Sequence, residues 1–261
     1  MSTIINYLNG PTGIQLLVGV LIGIGAGYLG SYMILRRMSL VGDALSHVAL
    51  PGIAIALLLH INPFIGAFSV LIMAILGIYA LEKHTTLPSE TLVGIFFTIS
   101  LALGLILTPE PELLEALFGD ITRVGPLDVM ITAVLVIISI VVMRLISKKV
   151  MLGIISKDLT KSMGIKADAV NFVFLLLVAT IVALGLKVVG TLLMGSLVII
   201  PAAAARNISL SLRSYTVLSV VFGAISALIG IPLALFLGIS SGPIIVLTSG
   251  AIFLITLVFK H

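Results

Sequence analysis

SLVGDALSHVALPGIAIALLLH, residues 39–60, is the stretch on which the topology turns. Its second half is an aliphatic run, and its first half carries Asp43 and His47 four residues apart. If the stretch crosses a bilayer as a helix, an acid and an imidazole share one of its faces, because i and i+4 side chains are neighbours with Cβ atoms about 5–6 Å apart. If it does not cross, every later segment exchanges inside for outside.

The rest of the chain identifies the solvent. Of 261 residues, 60% are hydrophobic and 9% charged, with a mean hydropathy of +1.35. A soluble domain carries about 25% charged residues, so this chain cannot cover an aqueous surface. Apolar runs recur at roughly the 17–22 residues that match a ~30 Å hydrocarbon core. Nine are read: 14–35, 40–60, 64–82, 90–108, 127–147, 169–186, 188–205, 214–237 and 242–259. The expected fold is all-α, a polytopic transmembrane helical bundle of about nine spans in one transmembrane domain, residues 1–261. With no Cys there are no disulfides and no thiolate metal ligands. The N-terminus, MSTIINYLNGPTG, lacks the basic region of a cleaved signal peptide, so the first apolar run is expected to stay as a helix. Basic residues are dispersed between the spans, and no nucleic-acid surface is expected.

Lys and Arg give the orientation. With Arg36 and Arg37 cytoplasmic, that side collects Arg36, Arg37, Lys83, Arg144, Lys148, Lys149, Lys157, Lys161, Lys166, Arg206, Arg213 and Lys260. Arg123 and Lys187 remain outside, a twelve-to-two asymmetry that accounts for all fourteen. The N-terminus is then outside and the C-terminus cytoplasmic. Removing 40–60 as a crossing would move Lys83 and the 148–166 basic loop outside and collapse the asymmetry, so nine spans are kept, with eight as the fallback.

Gly25-Ala-Gly27-Tyr-Leu-Gly30 fits the dinucleotide fingerprint G-x-G-x-x-G, which needs a preceding strand and a βαβ unit. Here it lies in an apolar helix, and Gly19, Gly23 and Gly27 repeat every four residues, the pattern of close helix packing. No G-x-x-x-x-G-K-[ST] is present, so the chain is expected to carry no ATP site of its own and not to be an enzyme.

A carboxylate inside a span costs at least ~2.5–3.5 kcal/mol, and such groups mark ion or substrate paths. Asp43 and His47 are therefore candidate metal ligands, a set usable by Zn²⁺, Mn²⁺ or Fe²⁺. Pro51 lacks an N–H, which should free the carbonyl of His47 four residues before it. The alternative is structural: Asp43 follows Gly42 as the N-cap of a helix, with His47 its electrostatic partner. Either reading stands on the sequence. Pro201, in the run KVVGTLLMGSLVIIPAAAARN, is expected to kink its helix near the pathway, within a segment otherwise read as packing.

Two polar stretches are long enough to do more than connect, 109–126 and 148–168. In ISKDLTKSMGIKADAV, 155–170, a short helix is expected from Asp158 to Met163, ended by Gly164. It is either a solvated basic loop or a docking element, to which Leu159, Met163 and Ile165 would give an apolar face. The outer PEPELLEALFGD, 109–120, is an amphipathic acidic stretch, read as an interfacial helix or as an acidic rim for an external protein.

Together these pieces resemble the membrane permease subunits of bacterial zinc and manganese ABC importers. The resemblance spans nearly the whole chain: RRMSLVGDALSHVALPG (36–52), NPF (62–64), LEALFGD (114–120), ISKDLTKSMGIK (155–166), KVVGTLLMGSLVIIPAAAAR (187–206) and SGPIIVL (241–247). It implies that Asp43 and His47 are the metal-interacting pair. It also implies that the loop with Lys157, Asp158, Leu159, Met163 and Gly164 couples to an ATPase. The implied partners are a second permease copy in a homodimer, separate ABC ATPase subunits, an extracytoplasmic metal-binding protein and membrane lipid. The implied cargo is a zinc or manganese ion with no permanently bound cofactor, and the implied place is the bacterial cytoplasmic (inner) membrane, crossed many times. Distant likeness to vitamin B12 and siderophore permeases leaves a metal chelate as the alternative cargo; the Asp–His pair favours a bare ion. A self-sufficient secondary transporter would need an internal repeat or further buried charges, and neither is found beyond Asp43 and Lys187; an intramembrane metalloenzyme is disfavoured because H-E-x-x-H is absent and His60, His84 and His261 lie at or beyond the ends of the spans.

Overall fold

In the computed structural model, residues 10–108, 116–156, 160 and 162–259 are described. They form ten α-helices and one 3₁₀ turn: α1 Pro11–Leu35, α2 Ser39–Val48, α3 Leu50–Leu58, α4 Pro63–His84, α5 Ser89–Leu107, the turn Ile121–Arg123, α6 Pro126–Ile155, α7 Ala167–Val189, α8 Met194–Ile208, α9 Leu212–Leu237 and α10 Ser241–Val258. No strand occurs among the described residues. Most boundaries follow local chemistry. Pro63 and Pro126 occupy first-turn positions, where their missing N–H costs nothing. Asn62 caps α4 by accepting the Phe64 N–H at 2.9 Å, which explains the NPF motif as a helix start.

All nine segments expected to be apolar helices are helical, and eight are long and apolar enough to cross a membrane, counting Ser39–Leu58 as one. The doubtful segment is not the one the charge count singled out. Residues 39–58 qualify, whereas α8 has only 15 residues. At 1.5 Å per residue that is about 22 Å, short of a ~30 Å core. A second departure concerns the polar stretch 148–168. Its first part is not loop, because α6 runs unbroken for 30 residues to Ile155 and carries Lys148 and Lys149 on helix.

Three segments make the centre. The apolar windows of α1, α2–α3 and α7 are buried over 61%, 72% and 78% of their lengths, against 22–33% for α4, α5, α6, α9 and α10. The most extensive helix pair is α1 with α9. A Cβ on Gly23 would stand 2.4 Å from the carbonyl oxygen of Gly223, and one on Gly27 would stand 2.2 Å from that of Ser219. The every-fourth-residue glycines thus let two backbones touch. Gly30 likewise meets the carbonyl of Val198 on α8, so the G-x-G-x-x-G match is a packing pattern.

The expected helix at 158–163 falls partly on Asp158, Leu159 and Lys161, which, like Lys157, lie outside the described residues. Around them, Thr160 N–H bonds to the Ser156 carbonyl, Ser162 is helical, and Gly164 adopts φ +70° while the Ile165 N–H returns to the Thr160 carbonyl at 3.1 Å. That is a helix C-terminus closed by a left-handed glycine, as expected. Met163 is exposed.

Candidate functional site

Asp43 and His47 lie on α2, at the centre of the bundle. The N-cap of α2 is Met38, and Asp43 is its fifth residue, with no side-chain cap bond at the helix start. The capping explanation for the acid is therefore overturned: Asp43 sits within the helix, where a structural cap is not needed. The expected free carbonyl also needs correcting. The chain breaks at Ala49, whose N–H turns back to the carbonyl of His47, and Pro51 takes an early position in α3. Pro51 thus coincides with a break between two helices. Pro201 is buried inside α8, which continues through it.

His47 is 9% exposed, and its Nδ1 has no hydrogen-bond partner. Its ring lies 5.4 Å from that of Phe97 on α5, tilted by 59°. Asp43 is half-buried. Among the described residues, no hydrogen bond or ion pair joins its carboxylate to the imidazole or to any other group. Two polar side chains one turn apart in a central helix, neither satisfied by the protein, remain available to something else. A buried unpaired imidazole nitrogen costs roughly 1–3 kcal/mol, which a passing cation would relieve. Among the described residues no group of three or more His, Cys, Asp or Glu is gathered, so one chain offers two such donors.

Neighbours that sequence reading missed close the site from the other side. The Ser46 hydroxyl lies 2.6 Å from the carbonyl of Thr191 and 2.7 Å from that of Asp43. Gly195, in the first turn of α8, lies directly on Asp43: a Cβ there would stand 2.5 Å from the Asp43 Cβ and 2.8 Å from Oδ1. Nothing in the sequence linked residues 191–195 to 43–46; the packing signal in this segment came from the alanines at 202–205.

The leading turn of α8 is held from its other side by the acidic stretch. Thr191 and Leu192 donate backbone N–H bonds to the carbonyls of Ala116 and Leu117, and the Asp120 N–H reaches the Lys187 carbonyl. Gly119 and Gly190, at φ +71° and +79°, touch backbone to backbone. Both the left-handed conformation and the contact require glycine. Beside this lies a cavity of about 430 Å³ lined by Ile53, Leu57, Asn62, Phe64, Asp120 and Lys187. Lys187 pairs with Asp128 at 2.8 Å, a partner the sequence did not reveal.

At the opposite end of the bundle, a recess of about 1,430 Å³ is lined by Arg36, Arg37, Lys149 and Arg206 together with Glu82, Glu90 and Asp168. Arg36 donates to Asn171 Oδ1 at 2.8 Å, and the Asn171 amide donates to Glu82 at 2.7 Å and Ser89 at 3.0 Å. Burial lowers the pKa of the Arg36 guanidinium, while Glu82 and Glu90 oppose that shift. Thr160, buried beside the undescribed 157–159, lines the same recess.

Comparison with known proteins adds the following. The ABC 3 transport family matches residues 14–260. The manganese import system permease protein ScaB of Streptococcus gordonii is 34% identical, over 92% of this chain and 88% of its own. The high-affinity zinc uptake system membrane protein ZnuB of Haemophilus influenzae is 30% identical, over 94% of this chain and 96% of its own. Among solved structures, PsaBC from Streptococcus pneumoniae in complex with Fab superposes with a TM-score of 0.84 at 31% identity, covering 98% of this chain and 94% of that one.

Proposed function

Because this chain belongs to the ABC 3 transport family, we propose that it is the permease subunit of an importer that moves a divalent transition-metal ion, zinc or manganese, into the cytoplasm. It is a multi-pass protein of the bacterial cytoplasmic membrane. The observation that carries the cargo assignment is the pair on a central helix, a buried His47 whose Nδ1 has no partner and a half-buried Asp43 one turn before it. A single permease domain over residues 1–261 would act as a homodimer. Each copy contributes one carboxylate and one imidazole, so two copies bring four donors, the number a tetrahedral zinc site uses. A site assembled from two weakly organised halves binds well enough to strip water and loosely enough to release.

Energy comes from separate ABC ATPase subunits docking at the end that bears the basic recess, through the segment 155–166. A metal-binding protein delivers the ion at the opposite end, against the acidic stretch near 116–120. The defining experiment reconstitutes the permease with its ATPase and binding protein in proteoliposomes. ATP-dependent uptake of Mn²⁺ or Zn²⁺ is expected; ATP hydrolysis with no uptake of either ion rules the assignment out.

Orientation is tested in this Cys-free chain with single cysteines at Ser2, Ser156 and Ser209. Only the first is expected to react with an impermeant thiol reagent from outside, and external labelling at Ser156 would reverse the topology. For coupling, replacing Leu159 and Met163 together with Asp is expected to abolish transport and release the ATPase on purification. The permease itself should still fold, because Met163 is exposed. Wild-type transport by that double variant would return the segment to a solvated loop.

A further inference from the structure

We propose that Thr191–Gly195, the turn that leads into α8 together with the helix's first two residues, is the second wall of the metal site, and that Ser46 and Gly195 are positioning residues that fix where the Asp43 carboxylate stands. The proposal rests on the reading of Asp43 and His47 as metal ligands and adds two positions that carry no metal-binding atom of their own.

Three observations support it. First, the turn is fastened to α2 at both of its ends. At residue 191 the fastening is the Ser46 hydroxyl on the Thr191 carbonyl, at 2.6 Å. At residue 195 it is direct contact between the glycine backbone and the Asp43 side chain. Ser46 and Thr191 are fully buried, so no water competes for this bond. Secondly, Gly195 is crowded by Asp43: the three atoms nearest a Cβ built there are the Asp43 Cβ, Cα and Oδ1, at 2.5–2.8 Å. The absence of a side chain at 195 makes room for Asp43, backbone and carboxylate alike. Thirdly, the Thr191 Oγ1 is buried without a partner, as is the His47 Nδ1. Two of the buried polar atoms without a partner thus belong to the segments that Ser46 joins, one on α2 and one in the turn before α8.

The geometry gives the turn a definite job. A carboxylate on a helix has freedom about two torsions; pressed against the first turn of α8 it loses part of that freedom. A ligand held in place binds an ion more tightly than one that must be ordered on arrival, and loss of such supporting contacts typically costs 10–100-fold in metal affinity.

The test measures Mn²⁺ binding to the assembled transporter in nanodiscs by loss of the free-ion EPR signal, with Zn²⁺ as competitor. Ser46→Ala and Gly195→Ala are each expected to raise the Mn²⁺ dissociation constant, measured per assembled complex, about 10–100-fold. Ser46→Thr, which keeps the hydroxyl, is expected to bind within about twofold of the wild type, a rescue that a purely steric role for residue 46 would not give. If Gly195→Ala fails to assemble, the Ser46→Ala and Ser46→Thr pair decides alone. Asp43→Asn separates the two levels. If it loses Mn²⁺ binding while Ser46→Ala binds as wild type, the positioning role is overturned and the ligand reading survives. If Asp43→Asn binds Mn²⁺ as wild type, both are overturned.

Discussion

Asp43→Asn is expected to reduce metal uptake to background while the permease still reaches the membrane and holds its partners. The substitution keeps the size and shape of the side chain, so the contact with Gly195 is preserved. It removes the negative charge and replaces a strong metal ligand with a weak one. Asn is as good a helix cap as Asp, but this does not blur the result, because α2 is capped at Met38 and Asp43 lies a full turn inside. An acid kept there only to balance His47 would be dispensable for transport, since no hydrogen bond or ion pair joins the two among the described residues. His47→Ala is expected to act similarly, at some cost in packing against Phe97. The measurement is uptake of radioactive Mn²⁺ or Zn²⁺ normalised to assembled complex. Wild-type uptake by a well-assembled Asn variant would remove Asp43 from the pathway.

The second large effect is on assembly. Gly23→Leu is expected to abolish recovery of folded permease, seen as loss of the monodisperse peak in detergent gel filtration. A Cβ at 23 would lie 2.4 Å from the Gly223 carbonyl oxygen and 2.8 Å from its carbon, both backbone atoms that have no rotamer to yield. The helices would have to separate along the most extensive pairing in the bundle. In a bilayer such pairing rests on van der Waals contact rather than on a hydrophobic driving force, so a lost close approach is not recovered by burial elsewhere. Gly94→Leu is the control: it makes the same chemical change in another span, where a Cβ meets nothing within 4 Å. Equal tolerance of the two substitutions would show that the glycine contact is not what joins α1 to α9.

Sequence carried the architecture because hydropathy and charge are summed over many residues. Nine apolar runs became helices, and basic residues expected on one side, Arg36, Arg37, Lys149 and Arg206, line one recess. The reading of Asp43 as a candidate cap failed for a local reason. Gly42 looked like a boundary, yet α2 begins three residues earlier, at Ser39. The length of α8 was misjudged because Gly190 and Thr191 are as compatible with a span as with the turn they form, and hydropathy does not register the hydrogen bonds from residues 116–117 that hold the chain there. Most of all, the site's second wall was illegible. Thr191 meets Ser46 across 145 positions of sequence, and the only trace of Gly195's role is the absence of a side chain, which any packed helix would also explain.

The glycine contact between α1 and α9 has a consequence for how the protein is made. Gly23 and Gly223 are 200 residues apart in the chain. At a synthesis rate of about 5–20 residues per second, α1 leaves the insertion machinery roughly 10–40 s before its main partner exists. During that interval the groove formed by Gly19, Gly23 and Gly27 faces lipid or a provisional neighbour. The nascent bundle is therefore open at its first helix until nearly its last is inserted, and arrival of α9 is what closes it. Chains stalled before residue 212 would keep that seam unfilled.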